Sequence, residues 1–361
     1  MKITDIRTVL IDLPGNTWIV RPDIQSFGCV LVFLDTDEGI TGESFLWMFG
    51  TKRLDVLSRM VLSLKTDLLG EDPHYTERIW RKLWSELRFF GDKGISVFGI
   101  SAIDRACWDA VGKAAGKPLY KLLGAYRDEV PAYASGLWLH WGVEDLIREA
   151  CAFAREGYRA MKMRIGKSRM EEDVERVRAV RNAIGPDVKL MVDANQRFTV
   201  EHAVRLGRKL EELDIAWFEE PVPAYDFEGS ARVAAALDVP VAGGENVYTR
   251  YGFRQVLEAK AADILMPDLV CVGGVTELLK VAHMAEAYDV PVTPHIFAEE
   301  SMHMVGSIPN GTYAERIDWF TPLYHERIEI QNGLIMLPQR PGFGFTFDLE
   351  ALERYRVDER S

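Results

Sequence analysis

Three acidic residues stand at the ends of successive apolar runs. Asp193 closes Leu190-Met191-Val192, Glu219 closes Trp217-Phe218, and Glu245 follows Gly243-Gly244. The first two are 26 residues apart, and so are the second two. That interval accommodates one strand, one helix and their two loops. A chain that repeats such a unit around a parallel barrel brings the C-terminal ends of its strands to one face, where the three carboxylates converge. Converged carboxylates repel unless a hard cation neutralises them, and oxygen-only ligands suit Mg²⁺ better than zinc. These residues predict a divalent-metal enzyme.

Three further strand ends carry chemistry. Lys162-Met163-Arg164 places both cations on one face of a strand, because side chains alternate with a period of two. Met266-Pro267-Asp268 and Thr293-Pro294-His295 end consecutive strands, so Asp268 can accept a hydrogen bond from His295 and orient it as a general base or acid. Lys162 and Arg164 then stand opposite, across the metal. Glu315, near the start of the last strand, adds a final polar contact. A lone acid at a strand end is more often a helix N-cap, and it is the regular set that overturns that reading. Arg164 reads equally as an ion-pair partner of a metal ligand or as a substrate contact. Glu220, Asn246 and the Met302-His303-Met304 stretch read as structural. His303 is close enough to His295 to line the rim of the site, while His140 and His325 have weaker claims.

The elements needed to hold these groups are legible in the periodicity. Residues 1 to about 55 alternate like strands over Ile3–Leu13, Cys29–Thr36 and Thr41–Phe45, with Asp37-Glu38-Gly39-Ile40 as a hairpin turn. Residues 13–28, with Pro14, Gly15, Pro22 and Gly28, read as a long loop. From about 55 to 124 the pattern is helical, most clearly over Ile95–Lys113. Short apolar strands then recur near 131–135, 160–165, 189–194, 215–219, 240–244, 263–267, 290–295 and 317–320, with amphipathic helices between them. Eight such units predict a closed (β/α)₈ barrel, here in modified form. The division expected is an α+β capping domain over 1–125, the barrel over 126–325, and a segment over 326–361 that packs back on the cap.

Composition removes several classes. A net charge of −12 argues against nucleic acid or an anionic membrane as partner. No apolar run is long enough to span a bilayer, and the N-terminus lacks a signal-peptide pattern. The four cysteines are scattered and form no CxxC pair, which suits reduced thiols in a cytoplasmic protein.

Taken together, the Lys-x-Arg strand, Asp193-Ala194-Asn195, Trp217-Phe218-Glu219-Glu220-Pro221, Gly244-Glu245, Pro267-Asp268, His295 and Glu315 make the chain resemble the enolase superfamily, mandelate racemase subgroup, over essentially its whole length. The resemblance implies that Asp193, Glu219 and Glu245 bind Mg²⁺ and that His295 with Asp268 is the catalytic dyad. It implies that Glu315 hydrogen-bonds the substrate carboxylate or enolate and that Lys162 touches the carboxylate. Residues 13–28 and 46–53 correspond to capping loops that close over substrate, with Trp18, Trp47 and Phe49 either contacting it or packing in the cap. An even-numbered homo-oligomer is the family expectation.

One departure is chemical. The family usually has Lys-x-Lys, whose second lysine is a base on one face of the substrate; here the position is Arg164, which keeps its proton. Racemisation needs a base on each face of the α-carbon, whereas a single-base elimination needs one. The expected activity is therefore dehydration of a sugar acid, an aldonate or aldarate. Mg²⁺, Lys162 and Arg164 stabilise the enediolate, and His295 removes the α-proton and then protonates the departing β-hydroxyl, giving a 2-keto-3-deoxy acid. Asn195 is placed to orient a substrate hydroxyl. The alternatives are an epimerase or cycloisomerase using Lys162 and His295 as paired bases, with Lys162 lowered in pKa by Arg164 and the metal, or a non-catalytic binding protein on the same scaffold.

Overall fold

The computed structural model describes residues 1–15 and 25–358. Its N-terminal part is an antiparallel meander of β1 (Ile3–Pro14), β2 (Ser26–Thr36) and β3 (Thr41–Phe49). The predicted hairpin turn lies between β2 and β3, with Gly39 at φ +72°. β3 runs further than the sequence suggested. Because β2 begins at Ser26, Gly28 and Cys29 offer backbone partners to Met48 and Trp47, and the strand continues to Phe49. Much of the expected 46–53 loop is thus strand, and the 13–28 loop is strand at both ends. Its residues 16–24, Trp18 among them, lie outside the described residues.

The helix Ile95–Ala114 joins this cap to the barrel, and its polar side chains explain the fixed orientation. Arg105 makes a two-pronged ion pair with Glu300, its Nη1 lying 2.9 and 3.0 Å from the two carboxylate oxygens. Asp104 accepts from the Thr276 N–H at 3.0 Å, and Ser101 Oγ donates to the Leu269 carbonyl at 2.7 Å. Arg105 and Glu300 are both buried, so loss of either would strand a charge.

The barrel strands are β4 (Glu129–Gly136), β5 (Ala160–Arg164), β6 (Lys189–Asp193), β7 (Ile215–Glu219), β8 (Val241–Gly243), β9 (Ile264–Leu265) and β10 (Ala314–Arg316), all in parallel register where they pair. The seventh position, expected at 290–295, is held only by single bridges: Val292 to Leu265 and to Gly311, and His295 to Asp268. β10 pairs with β4, Glu315 opposite Tyr133, and closes the ring. Tyr133, Ala160, Met191, Trp217, Ala242 and Met266 fill its interior as one apolar layer. Two residues further along, the next inward positions are Ser135, Lys162, Asp193, Glu219 and Asp268, with Gly244 after Ala242. The barrel therefore carries a charged layer directly above an apolar plug.

The eighth strand lies at 314–316 rather than 317–320. The apolar run Ile317-Asp318-Trp319-Phe320 has strand composition, but its rings serve the cap interface instead. Phe320 packs 5.0 Å from Phe45 and 5.9 Å from Phe297, and Trp319 packs 4.6 Å from Phe27. After the barrel, β11 (Ile330–Gln331) and β12 (Leu334–Met336) form a hairpin whose second strand pairs antiparallel with the start of β4. The chain then returns to the cap, where Phe347 meets Phe33 and Phe45, and the Val357 N–H donates to the Leu10 carbonyl.

Candidate active site

Asp193 and Glu219 are in register as the last residues of adjacent strands, each 1% exposed. Glu245 follows β8 across Gly244, whose φ of +131° and close approach to Phe253 leave no room for a side chain. Left-handed backbone at Asn195, Gln196 and Glu220, just past these ends, turns the chain sharply away from the barrel. Gln196 Nε2 donates to Glu220 at 2.9 Å and Asn246 Nδ2 does so at 3.4 Å, so Glu220 is tied from two sides behind the acidic trio.

The cations are interleaved with the acids. Lys162 Nζ lies 2.7 Å from Glu219, 3.0 Å from Glu315 and 3.8 Å from Asp193. Burial disfavours its charge, but Glu219 and Glu315 outweigh burial and raise its pKa. Lys162 is fully buried and lies below the cavity floor. Arg164 Nε lies 3.2 Å from Asp193, its Nη2 donates to Ser135 Oγ at 3.2 Å, and its guanidinium sits 5.1 Å over the Trp138 ring. Its Nη1 is buried without a partner although the residue lines the cavity, so one strong donor is left for an incoming anion. Arg164 thus pairs with an acid of the trio and also faces the cavity.

His295 Nδ1 lies 2.9 Å from Asp268 Oδ2, and its Nε2 lies 3.3 Å from Glu245. The other oxygen of Asp268 accepts from the N–H groups of Val270 and Cys271 at 2.8 and 3.0 Å. Burial opposes a charged ring, yet Glu245 and the Asp268 hydrogen bond push His295 up to about 10. Glu315 is fully buried beneath the floor. Burial alone would raise its pKa, but Lys162, His295 and Arg164 hold it well below the carboxylate range, and its Oε2 accepts the Ile296 N–H at 3.1 Å. Asn195 lines the cavity; its Nδ2 donates to Asp193 at 3.2 Å, leaving its second amide N–H and its carbonyl oxygen for a ligand.

The acidic trio suits a hard dication. Burial, then repulsion from Asp193, Glu315 and Glu245 against the pull of Lys162, raises Glu219 to about 8, and Glu245 is raised as well. Such a cluster is short of positive charge, and its donors are all oxygen. Among the described residues no three acidic, imidazole or thiol groups stand together at ligand spacing. The acids are turned toward Lys162, Arg164 and His295, so a dication would draw them off these partners.

The cavity above measures about 400 Å³. Arg164, Asn195, Glu245, Asp268 and His295 contribute to its floor, and Trp47 reaches it from the cap. Trp138, Trp319, His140 and Arg197 also line it, none of them anticipated as site residues except His140. All four follow strand ends by a few residues, so the rule that identified the acids would have found them if applied to the loops after β4, β6 and β10. His303 is a correction. It is buried away from the cavity, accepts the Tyr120 N–H at Nδ1 (3.2 Å), and places Nε2 2.8 Å from the Phe343 carbonyl. Its helix, Ala298–Ser307, turns inward between barrel and C-terminal segment, which proximity in sequence did not reveal. His325 is exposed beside Asp348.

Comparison with known proteins agrees with this geometry. Residues 14–124 match the mandelate racemase / muconate lactonizing enzyme N-terminal domain, and residues 145–352 match the enolase C-terminal domain-like family. An arabinonate dehydratase of Saccharolobus solfataricus is 38% identical over 304 residues, 81% of each chain. A 3,6-anhydro-alpha-L-galactonate cycloisomerase of Streptomyces coelicolor is 35% identical over 98% of this chain and 99% of its own. The structure of an L-talarate dehydratase from Polaromonas sp. JS666, complexed with Mg and L-glucarate, superposes with a TM-score of 0.92 at 34% identity, covering 99% of this chain and 98% of that one. No helix among the described residues is long and apolar enough to cross a membrane. The chain belongs to the mandelate racemase/muconate lactonizing enzyme family of the enolase superfamily.

Proposed function

We infer that the protein is a Mg²⁺-dependent sugar-acid dehydratase. The observation that carries this reading is the asymmetry of the floor: one side offers an imidazole oriented by a carboxylate, the other a guanidinium that cannot act as a base at neutral pH. Dehydratases among the relatives, including the arabinonate and talarate enzymes, support the same class. Asp193, Glu219 and Glu245 would hold the Mg²⁺, which when bound supplies positive charge to the substrate carboxylate oxygens.

The chain's own groups do the rest. Arg164 presents its free Nη1 to the carboxylate, a charge-assisted hydrogen bond that strengthens as negative charge builds there. Lys162 balances Glu219 and Glu315 from below and keeps the floor from repelling an anion. Asp268 holds the His295 ring so that its Nε2 faces the cavity. That nitrogen removes the proton next to the carboxylate and then returns it to the departing β-hydroxyl. Trp47 and the rings around it cover the charged floor from the cap side.

Reaction of a sugar-acid library with Mg²⁺ in deuterium oxide tests this. A 2-keto-3-deoxy acid is the expected product. Recovery of the substrate labelled at the α-carbon, with no keto acid, would replace dehydration by epimerisation, and a ring-opened or rearranged isomer would replace it by the cycloisomerase reading that the Streptomyces relative raises.

A further inference from the structure

The charge in the cavity is unevenly distributed. The barrel supplies the charged floor, whereas every described cap residue that lines the cavity is apolar: Trp47, Phe49 and Phe98. Trp47 and Phe49 pack edge to face at 5.1 Å, and Trp47 rests 5.7 Å from Trp319. Trp319 in turn stacks on Trp138 at 5.8 Å and 14°, so the roof continues down one wall as a sheet of rings. With the α-carbon beside His295 on the floor, carbons remote from the carboxylate extend toward this roof.

We propose that the site takes a sugar monocarboxylate whose remote end is apolar, a terminal methyl or an anhydro ring, and discriminates against sugar diacids. The inference rests on the sugar-acid reading above and narrows it. A second carboxylate under Trp47, Phe49 and Phe98 would lose its hydration and, among the described cap residues of the lining, meet no cation and no donor besides the Trp47 indole N–H. Among the described residues of the lining, Arg197 and His140 are exposed on barrel loops at the side, where water and salt screen charge. A methyl group or ring C–H face, by contrast, gains from each aromatic contact. Asn195 and Asn246, on the opposite side of the cavity, remain available to the hydroxyls between the two ends.

The test compares matched six-carbon acids across the C2–C5 stereoisomers: 6-deoxyhexonate, hexonate and hexarate, each with saturating Mg²⁺. Keto-acid formation gives kcat/KM, and calorimetric binding to His295→Asn gives affinity independent of the reaction. In the best configuration the methyl-ended acid is expected to exceed the hexonate about tenfold and the hexarate at least a hundredfold in both measures. Phe49→Lys, checked for an unchanged Tm, should narrow the gap to the hexarate at least tenfold. A hexarate that binds as well as or better than the methyl-ended acid overturns the proposal, as does failure of all three to bind. Absence of keto acid with the binding order intact overturns the dehydratase reading and leaves this one standing.

Discussion

Replacing Asp268 by Asn tests the dyad with little disturbance to the fold. Oδ1 of Asp268 caps the short helix Leu269–Val272 by accepting from Val270 and Cys271, and only an oxygen can keep that role. The asparagine carbonyl must therefore stay on the cap, which directs its NH₂ group at His295 Nδ1, 2.9 Å away in the native pair. A donor there requires an unprotonated Nδ1, so the ring proton moves to Nε2, the atom that must accept the substrate proton. The cap survives, so stability should change by less than about 1 kcal/mol. Turnover should fall by about 10⁴, equivalent to about 5 kcal/mol in the barrier, because the base is held in its unusable tautomer. The assay pairs keto-acid production with a thermal melt, and nitrogen NMR of the labelled imidazole reports the tautomer directly. Turnover within tenfold of native, with Nε2 protonated and the melt unchanged, would refute the assignment of His295 as the base.

Three other outcomes are expected. Arg164→Lys puts a titratable amine on the second face of the substrate. It should lower dehydration at least tenfold, through loss of the Ser135 and Trp138 contacts, while α-deuterium exchange becomes detectable in recovered substrate by proton NMR. Mg²⁺ at a hundred times its Kd should stabilise the fold by about 2.7 kcal/mol, a rise of several degrees in Tm, and Asp193→Asn should abolish most of that rise; an equal shift in the variant would place the ion elsewhere. His303, which burial lowers to about 4 from an ordinary 6.5, is neutral in the fold. Its stabilising effect is present above pH 6.5 and is lost as pH falls through 6.5 toward 4, about 3 kcal/mol in all, so His303→Gln should show that much less acid destabilisation in urea titrations between those pH values.

The range of each signal decides which features could be read before folding. The parallel strands and the acids at their ends repeat with the barrel's own period, so a local pattern carried global information: a strand end is a strand end wherever the ring closes. The Asp268 and His295 pair was legible for the same reason, since consecutive strands in such a barrel are neighbours. The eighth strand was misplaced by a few residues because Trp319 and Phe320 satisfy the composition of a strand while serving contacts to Phe27 and Phe45, 292 and 275 residues away along the chain, that no local window contains. His303 was misjudged on the opposite ground: eight residues from His295 in sequence is close, yet a helix that starts after Phe297 carries it behind the site.

The same distinction governs the chemistry. Types and spacing told which groups meet; their protonation and exposure depend on three-dimensional order that spacing does not encode. Lys162 and Arg164 share a strand face, and from the sequence either could have touched substrate. In the barrel the lysine lies one inward position deeper, between Glu219 and Glu315. The arginine, two residues nearer the strand end, reaches past Asp193 to the cavity and keeps one N–H free. A change from lysine to arginine at that upper position therefore removes a base from the cavity without removing a cation from the floor. Carboxylate binding can persist while proton transfer is confined to the His295 face. That separation of charge from basicity is what makes a one-base elimination the reading that the floor supports.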